Sequence, residues 1–560
     1  MKSIYKSIMC VAAGLSMLSS CENFDSINTN PNGVTPETVD PQYILAPILI
    51  KGSMCVETYH RIHNNYYDLQ AQYFSNEKYD TNINRCLNDY TEDYYMNTTY
   101  FWGWIAGLNE IIRITKDDPS RLNLKSIARI YRVYLYTICT DLLGDVPYFK
   151  AADGSGEAAP YDRQKDIYYD MVKELTEASA AIGTPGAGTV ESKFDLIFKG
   201  DLSRWKAFAN SMHLRLAMRM TEADPQKAEA ETKAAVKADG GFITTDVTIP
   251  RGDGLTPATW QMDWGWYYSG VGYMYGGRLA MSKSMERILT NLGGIEFPMK
   301  DYYDPDHIPE YVDPRGPIYF NVTNEINGAM ENYRGRWEGI PAGYTKAVAL
   351  EEANAQKNHA RLGAFFIRKD QDPDTKDATI YRDHPQTLMY VNEVSFLLAE
   401  AAWRGWVTGS AKDFYERGIR ESMSVVNIEQ NIVDSYLQST MKNDYGVSVK
   451  FDDVDTNRNT QLDKIITQKY IGGFPYNGFE AWNDYRRLGI PTLDPFAMPA
   501  EGSVQEKGAM DWKGSLRRVI YPTGETIKNA ENYKEAAARY EFGDNTKSRM
   551  WWDARKTIKE

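Results

Sequence analysis

Residues 260–275 read Trp-Gln-Met-Asp-Trp-Gly-Trp-Tyr-Tyr-Ser-Gly-Val-Gly-Tyr-Met-Tyr, a density of indole and phenol rings that suits ligand capture better than bond breaking. Trp260, Trp264, Trp266, Tyr267, Tyr268, Tyr273 and Tyr275 offer flat apolar faces with a polar handle. The interleaved Gly265, Gly270 and Gly272 disfavour a long regular helix and point to a loop. Sugars present C–H faces to such rings, and their hydroxyls need polar partners at the rim. Gln261, Asp263 and Arg278 are placed to supply these. A peptide would use the same rings together with backbone hydrogen bonds, so the stretch is compatible with either ligand class. The competing expectation is that the rings turn inward and staple the loop to the body. The candidate ligand-binding set is Trp260, Asp263, Trp264, Trp266, Tyr267, Tyr273, Tyr275 and Arg278.

Other constellations are weaker. Tyr66, Tyr67, Tyr73, Phe74, Tyr79, Tyr94, Tyr95, Trp102 and Trp104 fall largely at helical spacing, which predicts core. Trp337, in Arg334-Gly335-Arg336-Trp337-Glu338-Gly339, is expected to be exposed or half-buried. His60 and His63 share a helical spacing but lack a third metal ligand, so a surface pair is expected. Asp453, Asp455, Asn457 and Asn459 alternate like the first half of a calcium loop. Arg458 stands where the loop needs glycine and Lys464 where it needs the closing glutamate, so calcium is not expected. No G-x-S-x-G elbow, H-E-x-x-H pair or Walker phosphate loop occurs. A carboxylate pair for glycoside hydrolysis is defined by separation in space, so a surface glycoside hydrolase stays as a rival from another class. A structural or adhesive surface protein is a second rival. No catalytic residue, metal or cofactor is assigned.

The elements that must hold the aromatic stretch are mainly helical. Ile127, Ile130, Tyr131, Tyr134, Leu135, Ile138 and Leu142 line one face of a helix predicted to end near Leu143, with Gly144 and Pro147 as stop signals. A second helix is predicted from about Asp162 to Ile182, closed by Gly-Thr-Pro-Gly at 183–186. A third starts at the N-cap Asp201 and carries Leu202, Trp205, Phe208, Met212 and Leu216 on one face. From Gly240 to about Pro385 the chain is dense in Gly, Pro, Tyr and Asp, which predicts long loops, short helices and small strands. Helices return at Gln386, with an Ala-rich stretch over 394–403 and a second helix over 414–426. Small residues where these two touch suggest a tetratricopeptide-type hairpin. The last 70 residues are expected to wrap irregularly over the helical body.

The fold class predicted is therefore mainly α: paired helices forming a scaffold, a loop-rich insertion and little β. The expected divisions are 1–20 signal, 21–40 tether, 41–240 first helical lobe, 241–385 ligand-binding region, 386–490 second helical lobe and 491–560 wrap. A chain of 560 residues suits several lobes. The net charge is −13, which argues against nucleic acid as a partner.

The N-terminus predicts export. Lys2 and Lys6 precede a short apolar run, and Leu18-Ser19-Ser20-Cys21 has the small-residue pattern of a lipobox. The run is too short to span a membrane. Lipidation is expected at Cys21, with more than one acyl chain needed for stable anchoring. After Cys10 and Cys21, three cysteines remain, Cys55, Cys86 and Cys139. An odd number excludes a full disulfide framework. A Cys55–Cys86 bridge is compatible with an exported protein, buried thiols are the simpler expectation, and Cys139 reads as core.

Several segments together resemble the SusD/RagB family. They are Ile130-Tyr131-Arg132 with Asp141-Leu142-Leu143-Gly144-Asp145-Val146-Pro147-Tyr148; Gly200 through Ser211; and Asn392-Glu393-Val394 with Ala399-Glu400-Ala401-Ala402. Gln468-Lys469-Tyr470, Asn477 through Arg487, and Arg517-Arg518 with Tyr521-Pro522 complete the set. The resemblance implies tetratricopeptide-like helix pairs and an inserted ligand-binding region. It also implies an outer-membrane, cell-surface location; Glu22 and Asp25 after the lipidated cysteine resemble a surface-export signal. It implies a SusC-like TonB-dependent transporter as partner, with oligosaccharide ligands or, in one branch, oligopeptides. Glu480, Trp482, Arg486 and Arg487 are expected to form a packed, ion-paired helix and not a ligand site.

Overall fold

The computed structural model describes residues 40–54, 67–76, 101–153, 157–249, 279–299, 302, 304–322, 335–343, 359–363, 365–366, 386–496 and 516–555. Six helices build the first part of the scaffold: α1 (Gln42–Met54), α2 (Phe101–Ile114), α3 (Leu122–Leu143), α4 (Gln164–Ala181), α5 (Leu202–Arg219) and α6 (Pro225–Lys237). Each packs on the next. The stop after α3 is steric as well as conformational. Gly144 has φ +82°, and a Cβ there would sit 2.1 Å from the Tyr540 hydroxyl. Asp201 caps α5 by accepting the N–H groups of Ser203 and Arg204, which satisfies two donors the helix cannot. Of the predicted apolar face, Trp205, Phe208, Met212 and Leu216 are fully buried. Trp205 Nε1 also donates to Asp195 at 2.7 Å.

The second part comprises α7 (Lys283–Leu289), α8 (Val391–Trp403), α9 (Ala411–Val425), α10 (Gln430–Leu437), α11 (Gln461–Gly472), α12 (Gly478–Leu488) and α13 (Ala530–Ala537). The α8–α9 hairpin closes over a small residue. A Cβ on Gly418 would lie 2.8 Å from the Phe396 ring, so only glycine lets the helices approach this closely. α8 packs on α5 as well as on α9 and α11, which joins the two parts into one core.

That junction is heavily charged. Arg215 on α5 makes a bidentate pair with Glu393 on α8, both bonds at 2.7 Å. Arg219 pairs with Glu480 on α12. Arg487 pairs with Glu400 at 2.7 and 2.8 Å and with Asp484 at 2.8 Å. Lys469 meets Asp484 at 2.8 Å. All are buried. Burial alone would raise the Asp484 carboxyl, but Lys469 and Arg487 outweigh it and hold it below the ordinary range. The expected packed, ion-paired helix is present, with Arg486 lying 3.5 Å above the Trp482 ring.

The C-terminal wrap is fastened by arginines rather than by apolar area alone. Arg517 pairs with Asp553 at 2.8 Å, and Arg518 donates to the Leu143 carbonyl and to Asp544. The wrap is less irregular than expected, since it includes α13.

Candidate ligand-binding region

The strands are few and short, and they stand at the feet of the inserted segments. One sheet has the order β1 (Phe74–Asn76), β3 (Leu279–Met281), β7 (Arg361–Leu362), β6 (Phe320–Asn321). A second pairs β2 (Val247–Ile249) with β8 (Gln386–Met389), and a third pairs β4 (Thr290–Glu296) with β5 (Tyr311–Val312). Antiparallel register sets Asn76 opposite Leu279 and Ile249 opposite Gln386. Ile249 and Leu279, the residues on either side of 250–278, are therefore each fixed in a strand pair. The start of 77–100 adjoins one of these roots, and the end of 367–385 adjoins the other.

The roots are packed against the body and hydrogen-bonded to it. Phe474 gathers Tyr73, Phe74, Tyr319, Phe320 and Phe366 at centroid distances of 4.7–5.7 Å. All six rings are buried. Asp246, just before β2, accepts the Val391 N–H at 2.8 Å and so caps α8. Burial raises its carboxyl, and the bond from Val391 works against that shift. One strand foot is thereby tied to the helical scaffold.

Trp260, Asp263, Trp264, Trp266, Tyr267, Tyr273, Tyr275 and Arg278 all lie outside the described residues, as do Cys21, Cys55, Cys86, His60 and His63. Of the second aromatic group, Tyr67, Tyr73, Phe74 and Trp104 are core, as their spacing predicts. Tyr66, Tyr79, Tyr94, Tyr95 and the Trp102 side chain are outside the described set. Cys139 is a buried free thiol.

Trp337 corrects an expectation. It is 5% exposed, donates from Nε1 to Thr290 at 3.0 Å and packs edge-on against Phe297. Long-range partners bury a ring that its glycine-flanked loop left open to solvent.

The calcium-like loop holds a cation of its own. Lys464 is fully buried, and its Nζ donates to the Ser448 carbonyl at 2.8 Å, to Ser448 Oγ at 2.6 Å and to Asn459 Oδ1 at 2.6 Å. Ser448 Oγ in turn donates to Asp453 at 2.6 Å. Asp455 accepts the N–H groups of Asn457, Arg458 and Asn459. Burial pulls the ammonium down to about 8, while Asp453 and Asp455 pull it up. Of the four alternating residues, Asn459 is the one the Lys464 ammonium bonds directly, while Asp455 also pairs with Lys442 at 2.9 Å. Among the described residues, no group of side chains with metal-ligand character was found, and no helix is long and apolar enough to cross a membrane.

One surface feature was not anticipated. Trp403, in the last turn of α8, is 40% exposed, and Arg404 lies between it and Trp406. The sequence signal is Trp403-Arg404-Gly405-Trp406, two indoles flanking an arginine and a glycine.

The described residues form a scaffold of paired helices with short strand pairs. Residues 32–249 match a family model described as "Starch-binding associating with outer membrane", and residues 308–553 match "Susd and RagB outer membrane lipoprotein". A SusD homolog from Parabacteroides distasonis is 31% identical, with a TM-score of 0.80 over 92% of this chain and 98% of that one. The chain belongs to the SusD/RagB family. A chitin-binding protein is 25% identical, with a TM-score of 0.64 over 93% of this chain and 100% of that one. A chitin-binding SusD homolog from Flavobacterium johnsoniae shares the fold at 24% identity, TM-score 0.67, over 93% of this chain and 100% of that one. No curated protein matches the sequence.

Proposed function

We propose that this protein is a surface lipoprotein, anchored through Cys21, that captures oligosaccharides and passes them to a SusC-like TonB-dependent transporter. Family membership over both parts of the chain carries this reading. The chitin-binding relative favours glycan over peptide. Binding, with no turnover, is the activity.

The proposed site is the aromatic stretch within region 241–385: Trp260, Asp263, Trp264, Trp266, Tyr267, Tyr273, Tyr275 and Arg278. Its strand roots support this, because a site on a long insertion needs fixed ends to limit the entropy lost on binding. The anchor meets the body at Asp40, which Arg121 holds at 3.1 Å and Gln42 holds through two further bonds. Segment 21–39 then links membrane and body, so that ligand is shared between lipoprotein and barrel.

The test is a titration of residues 22–560 against arrays of oligosaccharides and peptides, repeated with Trp264→Ala and Trp266→Ala. Binding to neutral oligosaccharides is expected, with each variant losing about 2 kcal/mol, some thirtyfold in Kd. Binding to peptides alone would replace the glycan reading. Binding unchanged in both variants would move the site elsewhere. Failure to co-purify with a TonB-dependent barrel would remove the transport role.

A further inference from the structure

We propose that the C-terminal turn of α8 is a second carbohydrate contact, in which a neutral sugar ring stacks on Trp403 beside Arg404 and Glu222. The proposal rests on the glycan-binding reading above, but the site is remote in sequence from the aromatic insertion.

The turn is locked. Gly405 has φ +78°, and Arg404, Gly405 and Trp406 donate their N–H groups to Glu400, Ala402 and Ala401 at 2.9–3.0 Å. This is the left-handed closure that fixes a helix end. Trp406 is half-buried against the core, whereas Trp403 is 40% exposed. The Arg404 guanidinium lies 5.7 Å from the Trp403 ring and 5.4 Å from the Trp406 ring, within cation–π range of both. It is clamped by Glu400 at 2.9 Å and by Glu222 at 3.2 Å. These bonds use Nε and Nη2, and Nη1 has no partner among the described residues.

Three features select the occupant. First, the exposed part of Trp403 amounts to about 100 Å². An exposed indole face of this size matches one sugar ring. Second, the polar groups beside the ring are mixed. The Arg404 Nη1 N–H groups are donors, and the partly exposed Glu222 carboxylate is an acceptor. A hydroxyl, which both donates and accepts, satisfies both. Third, two carboxylates surround one guanidinium. The local balance is negative, which disfavours phosphate, sulfate or uronate and favours an uncharged sugar.

A weak second contact adds little for a short ligand already held at a first site. For a polymer it raises retention through effective concentration. The test is affinity electrophoresis of residues 22–560 in gels containing soluble starch or glycol chitin, alongside calorimetry with maltoheptaose and chitohexaose. Trp403→Ala is expected to cut retention by the bound polysaccharide about tenfold and to leave Kd for the short oligomer unchanged. Trp403→Phe should restore most of the retention. Wild-type retention in the Trp403→Ala variant, with circular dichroism unchanged, overturns the second site. If Trp264→Ala and Trp266→Ala abolish oligomer binding in the same series, the primary reading stands without it. A wild type retained by neither polymer and binding neither oligomer sinks both.

Discussion

Consider the buried pair that joins the two helical parts. Arg215 and Glu393 are 4% and 1% exposed and make two bonds of 2.7 Å. Arg215→Met leaves Glu393, among the described residues, with the Asn477 amide at 3.0 Å as its remaining charge-stabilising partner. Glu393→Leu leaves Arg215 facing Glu480 at 4.0 Å, a longer and weaker contact already shared with Arg219. Breaking a buried pair by removing one partner costs about 3–5 kcal/mol. The first variant should fall near the upper end, because no other cation among the described residues pairs with the orphaned carboxylate. The second should fall near the lower end, because Glu480 remains. The double variant Arg215→Met/Glu393→Leu removes both charges and fills the space with apolar volume, so it should lose only about 1–2 kcal/mol. The implied coupling is roughly 5 kcal/mol or more. Hydrogen exchange of the α5 and α8 amides, with urea unfolding followed by tryptophan emission, reads this locally even where unfolding has several steps. Single variants within 1 kcal/mol of wild type, or a double variant as damaged as the worse single one, would refute the argument that these charges depend on each other.

Other outcomes follow from the same structure. Tyr73, Tyr168, Tyr390, Tyr436, Tyr470 and Tyr521 are buried and have phenols raised well above 10, in each case first by desolvation. The unfolded chain ionises them near pH 10 and the folded one does not, so each withdraws up to about 1.4 kcal/mol per pH unit above that point. A steep alkaline unfolding by about pH 11–12 is expected, and near-UV dichroism surviving beyond it would contradict this. Lys464 acts in the opposite sense over a lower window: its folded value of about 8 lies below that of free lysine, so its contribution to stability grows as pH rises from there to about 10. Because this ammonium fills the oxygen cage, melting should be indifferent to millimolar calcium or a chelator; a calcium-dependent rise in Tm would show the cage admits metal. Gly418→Ala should destabilise by about 1–2 kcal/mol despite alanine's better helix propensity, because Phe396 blocks its Cβ at 2.8 Å. A stabilised variant would mean the ring moves aside freely.

Much of the scaffold was legible because its signals are local. The apolar repeat of α3, its stop at Gly144 and the Asp201 cap each depend on residues within one or two turns. The ion-paired helix around Glu480 could be anticipated, but its partners Arg215, Arg219 and Glu400 could not, since they lie far away in the chain. Trp337 was misjudged for the same reason: Thr290 and Phe297 bury it, and nothing in its own loop announces them. Lys464 breaks the calcium-loop pattern in the sequence, but its oxygen partner Ser448 lies outside that pattern and could not be read from it. The pairing of β1 with β3 crosses some two hundred residues and leaves no local trace.

That strand arrangement bears on how such proteins diversify. Segment 250–278 is held by Ile249 opposite Gln386 and by Leu279 opposite Asn76, so the contacts that fix its ends belong to the body and not to the segment. Doubling a loop's length costs only about 0.6 kcal/mol in closure entropy. Selection can therefore lengthen, shorten or rewrite this insertion while the helical core keeps its sequence, much as a tool head is changed on an unchanged handle. Chimeras that exchange residues 250–278 between family members should fold with the recipient's stability and take on the donor's ligand.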